Sequence, residues 1–237
     1  MSHVKNMQAF EKLTGLCTGY GGSYNPGQQN LQVDALIAKL NNAQQVLMEV
    51  TEAQTVYDSA TNSREGLFNQ LKKLSSRILS VLKGSGADAL TLKDARACTR
   101  KLWGYRSSKP PDPVKEGEAV PKSPSVYGTD FASAVYHFAK LVETVSAAPS
   151  YQPNEPELQV EALRQMLNTL QSANERVVLA EVQRVMARKK RNDLFYENEN
   201  CLYATLKAIK SYVRGALGFL STEHIQITRL RFTKPMA

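Results

Sequence analysis

A chain of 237 residues that is 42% hydrophobic and 22% charged carries enough apolar surface to bury a core without disulfide or metal staples. That balance excludes wholesale disorder. The formal net charge of +8 leaves a general attraction to polyanions as the one functional colour of the composition.

No window approaches the roughly 18 consecutive apolar residues of a membrane span. Met1 to Asn6 leads into an amphipathic pattern rather than the apolar core of a signal peptide, and a cytoplasmic protein is expected. Cys17, Cys98 and Cys201 are odd in number, far apart and free of C-x-x-C spacing, which reads as reduced, buried thiols.

In chain order, Val4, Met7, Phe10, Leu13 and Leu16 recur at spacings of three and predict a first helix from about His3 to Cys17. Gly19, Gly21 and Gly22 break it. After Tyr24-Asn25-Pro26 comes Leu31-Gln32-Val33-Asp34-Ala35-Leu36, followed by a heptad seam through Leu36, Leu40, Ala43, Leu47 and Val50. The register continues through Gln54, Tyr57, Thr61, Arg64, Phe68, Leu71, Ser75, Ile78 and Leu82, with a polar middle.

Two architectures fit this stretch. One is a single helix of about 75 Å at 1.5 Å per residue. The other, favoured here, is an antiparallel pair that turns within Asp58-Ser59-Ala60-Thr61-Asn62-Ser63, a run of good turn and N-cap residues. Lys83-Gly84-Ser85-Gly86 ends the pattern. Thr91-Leu92-Lys93-Asp94, with capping-box spacing, opens a shorter helix through Cys98 to Leu102.

Residues 106–129 contain Pro110, Pro111, Pro113, Pro121 and Pro124 and have no apolar period, which reads as an extended linker. Beyond it the first half returns. Tyr151-Gln152-Pro153 and Leu158-Gln159-Val160-Glu161-Ala162-Leu163 repeat the earlier motifs, and Phe138, Lys140 and Leu141 fall on Phe10, Lys12 and Leu13.

Leu194-Phe195 matches Leu67-Phe68, with a break expected near Lys189 to Asp193. Past Asn198-Glu199-Asn200 the match slips by about one helical turn, as an insertion would make it. Arg214-Gly215 and Gly218 end the next helix, and Ser221-Thr222-Glu223-His224 opens a last element from Ile225 to Phe232, helix or strand.

The expected architecture is therefore all-α, an internally duplicated helical bundle with two pseudo-symmetric copies of a three- or four-helix unit. Copy one spans 1–105, the Pro-rich linker 106–129 and copy two 130–237, with the copies packed about a pseudo-twofold axis.

Chemical motifs are few. No phosphate-binding glycine loop is present, and His3, His137 and His224 belong to no H-x-x-x-H or Glu-x-x-His pair, so no catalytic residues, metal or cofactor are expected. Glu197 and Glu199, two residues apart on a helix, point about 200° apart and do not converge.

The densest charge run is Arg184, Arg188, Lys189, Lys190 and Arg191. Three of its arginines, Arg184, Arg188 and Arg191, share a face if the helix persists. These five are the candidate nucleic-acid contacts, aided by Lys72, Lys73 and Arg77 or by Lys207, Lys210 and Arg214 if those gather on one side. The primary expectation is a non-enzymatic interaction or scaffold protein that presents helix faces to another protein. The alternative is a sequence-tolerant nucleic-acid binder. A third, anionic membrane surfaces, requires an apolar face beside the cations.

Overall fold

The computed structural model describes residues 3–104 and 130–234, and among these every regular element is helical. The expected linker, 106–129, lies outside the described residues.

Helix α1 (His3–Gly19) buries Asn6, Phe10, Leu13, Thr14 and Cys17. This face differs from the expected stripe. A step of three residues falls 60° short of a full turn each time, so Val4 rotates outward and is 47% exposed, whereas the spacing 6, 10, 13, 17 keeps one direction. A 3-10 turn at Gly21–Ser23 follows, entered through Gly21 at φ +51, a conformation that needs no Cβ. The Tyr24 hydroxyl donates to the Leu31 carbonyl at 2.7 Å, closing the loop before the next helix.

That helix, α2 (Val33–Gly84), is continuous over 52 residues. The expected turn at Asp58 to Ser63 is absent. Asp58, Ser59, Asn62 and Ser63 are weak helix formers but not breakers, and all four face solvent, while Tyr57, Ala60, Thr61 and Arg64 hold the heptad seam on the half-buried side. Propensity loses to the uninterrupted seam.

Helix α3 (Ala89–Trp103) starts earlier than the Thr91 box predicts. Asp88 is its N-cap, and its carboxylate accepts from the Leu90 and Thr91 amides at 2.9 Å each. Helix α4 (Phe131–Ser146) opens likewise, with Asp130 accepting from the Ser133 amide at 2.9 Å. These bonds to the ionised form hold both carboxyls below their usual pKa. A 3-10 turn at Pro156–Leu158 leads into α5 (Val160–Asn192).

Within the span of the expected break, Lys189 to Asp193, the α-helix ends at Asn192, but the chain stays helical and passes directly into a π-helical turn, Asp193–Glu197. Asn198 to Cys201 are outside any helix, where the sequence match slips. Helix α6 (Leu202–Leu217) passes through Gly215 and stops before Gly218, at φ +95.

Helix α7 (Thr222–Thr228) has Ser221 as its N-cap, accepting from the His224 amide at 3.2 Å, and ends well before Phe232. Side chains take over the backbone groups beyond it. Lys210 donates to the Leu230 carbonyl at 2.7 Å, and the Asn6 amide pairs with both the N–H and the carbonyl of Thr233, at 3.1 and 2.8 Å.

Two compact units result, Met1–Tyr57 with Ala180–Ala237, and Asp58–Leu179. Each therefore takes residues from both sides of the linker. The first is organised by Phe10, Leu13, Leu36, Phe195, Leu202, Ile209 and Val213, all fully buried. The second is organised by Ile78, Leu82, Phe138, Leu141, Val142, Leu163 and Leu170, drawn from α2, α4 and α5, with α3 packed on α4 through Ala95 and Cys98. The three cysteines are free thiols in these interiors, and burial pushes the Cys17 thiol up to about 11.

Candidate interaction surface

The predicted basic residues lie on one helix but do not form one patch. At about 100° per residue, Arg184, Arg188 and Arg191 do share a side of α5, and it is the side that meets α2. The Arg184 guanidinium stacks 3.8 Å from the centroid of the Tyr57 ring and lies 3.6 Å from Glu181, with only 18% of its side chain exposed. Arg188 donates to Gln54 Oε1 at 2.8 Å.

Lys190 pairs with Glu49 at 2.7 Å from the flank, and Arg191 donates to its neighbour Asn192 at 2.8 and 3.1 Å. Lys189 points the other way and makes no ion pair among the described residues. Of the auxiliary cations, Arg77, Lys207, Lys210 and Arg214 are engaged, Lys210 with the Leu230 carbonyl, whereas Lys72 and Lys73 are exposed. Arg77 pairs with Glu157 at 2.7 Å, Lys207 lies 4.6 Å over Tyr203, and Arg214 lies 5.2 Å over Phe219.

The opposite side of α5 is apolar. Val178, Leu179, Val182, Val185 and Met186 are 59, 64, 51, 54 and 62% exposed, and helical geometry gathers them into a face about 120° wide. Leu163, Leu170, Val177 and Ala180 are buried on the inward side. The helix is thus apolar on two faces, of which packing among the described residues covers one. That signal is present in the sequence, since Val178, Val182 and Val185 keep their own four-and-three spacing, but the inner seam obscures it. Exposed Glu175 and Lys189 bracket the face, each seven residues from Val182.

A second polar arrangement surrounds the π turn. Asn6 donates from Nδ2 to the Tyr196 hydroxyl at 2.8 Å, and that hydroxyl lies 2.9 Å from His3 Nδ1. Rings of Phe195, Phe232 and Tyr203 close around it, with centroids 6.0–6.3 Å apart along the chain of contacts from Tyr196 to Phe232 and on to Tyr203 and Phe195. Asn6 and Tyr196 are buried, so this knot fastens the last described residues to α1 and π turn. Burial, with Arg191 nearby, lowers the His3 pKa. No motif in the sequence announces it, because Asn6, Tyr196 and Thr233 are remote along the chain.

Two hollows flank the first unit's helices. One of about 600 Å³ is lined by Val4, Met7, Leu47 and Met48 on α1 and α2. Another, of about 400 Å³, has Asn42, Met186, Lys189 and Asp193 in its wall. Among the described residues no group of three or more His, Cys, Asp or Glu side chains is placed to hold a metal ion, and no helix is long and apolar enough to cross a membrane. No protein-family model matches this chain, and no curated protein or solved structure matches it either.

Proposed function

We propose that this is a non-enzymatic interaction or scaffold protein, built by internal duplication, which binds another protein chain through the outer face of α5. The duplication reading is supported by paired details. Tyr24 and Tyr151, each 5% exposed, donate to the carbonyls of Leu31 and Leu158 at 2.7 and 2.9 Å. Phe10 and Phe138, Leu13 and Leu141, and Leu36 and Leu163 are fully buried in both copies. On this reading the copies exchange their back halves, since each compact unit joins the front of one copy to the back of the other.

One observation carries the functional reading. The offset that places Leu31 on Leu158 places the outer face of α5 on Thr51, Glu52, Thr55, Asp58 and Ser59 of α2, which are exposed and polar. The same position in the same architecture is therefore polar in one copy and apolar in the other, so folding does not require the apolar version. An exposed apolar face of this kind marks a binding surface. Four of the five candidate nucleic-acid residues have partners within the chain, which favours the protein-binding reading over the polyanion one.

A photo-crosslinking residue at Val185, introduced in the producing cells, tests it. A covalent adduct to a protein chain is the expected product. Crosslinking from Val185 no greater than from the polar position Asp58 would sink the reading.

A further inference from the structure

Resting on that reading of α5, we propose that the chain covering its outer face is a second copy of this protein, paired antiparallel about Val182.

The charges choose the occupant. Glu175 stands at the N-terminal end of the apolar face and Lys189 at its C-terminal end; both are exposed and neither has an ion-pair partner among the described residues. An antiparallel two-fold about Val182 lays Val178 against Met186 of the other copy and Leu179 against Val185. It also brings Glu175 opposite Lys189, twice over, at the two ends. A parallel pairing would oppose Glu175 to Glu175 and Lys189 to Lys189. The sequence of the face, acid then apolar then base, is complementary to its own reverse, which is the requirement of an isologous interface.

Helix geometry alone sets this pattern, because every residue in it lies on the single continuous helix α5. The outward cation that the internal network does not use, Lys189, thereby acquires a role. The face extends over about four helical turns, short of the area of a standard stable interface, so a reversible dimer in the micromolar range is expected.

Sedimentation velocity on the purified full chain, from about 1 to about 200 μM at low salt, tests the pairing. A concentration-dependent monomer–dimer equilibrium is expected. Val182→Asp should abolish it with unchanged helical circular dichroism, since the position is exposed. Glu175→Lys and Lys189→Glu should each weaken dimerisation several-fold, and the double exchange should restore most of the loss, because it rebuilds the pair with its signs reversed.

A monomer throughout the range overturns the proposal, as does a dimer indifferent to Val182→Asp. If the monomer nevertheless crosslinks from Val185 to a different protein in cells, the pairing fails and the interaction reading stands. If it crosslinks to nothing, both fail. Flotation of the monomer with phosphatidylserine vesicles, lost in Val182→Asp, would likewise overturn the second copy, in favour of a membrane surface.

Discussion

The guanidinium carbon of Arg184 lies 3.8 Å from the centroid of the Tyr57 ring, and the offset that carries Leu31 onto Leu158 carries Tyr57 onto Arg184. Equivalent positions of the two proposed copies thus touch, as they do near the axis of a self-complementary pairing. The contact also explains why a cation occupies a heptad seam. Its charge rests on a ring face, and its stem fills the core position.

The pair makes an asymmetric prediction. Arg184 Nε is buried without an acceptor among the described residues. Arg184→Met keeps the packing and removes the orphaned donor, so it should change stability by less than about 1 kcal/mol. Tyr57→Ala removes the ring and should cost about 1–2 kcal/mol. Chemical denaturation of the two variants checks the ordering.

The knot around Tyr196 should be sensitive to loss of one oxygen. Tyr196→Phe leaves the buried Asn6 amide short of an acceptor and should destabilise by about 1–3 kcal/mol. Asn6→Ala also frees both backbone groups of Thr233, and should raise hydrogen exchange at the Thr233 amide, which Tyr196→Phe should leave protected.

His3 sets a pH dependence whose sign follows from its lowered pKa. The folded state binds this proton less readily than the unfolded chain, whose histidine titrates near 6.5. The contribution of neutral His3 is therefore complete above that value and is lost as pH falls from it toward the folded pKa. His3→Gln should flatten the fall in melting temperature across that window. An unchanged slope would move the titration to other groups.

Tyr24→Phe and Tyr151→Phe remove the same hydroxyl-to-carbonyl bond from the two loops. Each should cost about 1–2 kcal/mol, and the two losses should add in the double variant, since the residues stand in different cores. Urea midpoints read the comparison.

Nucleic-acid affinity measured over a salt series should be weak and shallow, because Arg184, Arg188, Lys190 and Arg191 already have partners in the chain. Lys190→Glu opposes Glu49 with a like charge and should lower stability more than it lowers binding. Tight binding with a steep salt slope would return the cluster to a nucleic-acid role.

Helical class, the heptad register of α2, the Tyr-x-Pro loops and the helix ends at Gly19, Gly84 and Gly218, though not the stop expected at Gly215, were legible in the sequence, because each is a local pattern. Periodicity and terminator residues act within a few turns of chain.

What local pattern missed was decided by contacts distant along the chain. Asp58 to Ser63 look like a turn by themselves, and stay helical because the seam on their other side is continuous. Arg184 and Arg188 look like a presented patch, but Arg184 is largely covered by Tyr57 and Arg188, though exposed, is tied to Gln54, both partners coming from a helix more than a hundred residues away. The outer face of α5 follows the same logic. Its spacing is written in the sequence, but only the burial of Leu163, Leu170, Val177 and Ala180, beside the exposure of Val182 and Val185, shows which apolar face the described residues consume.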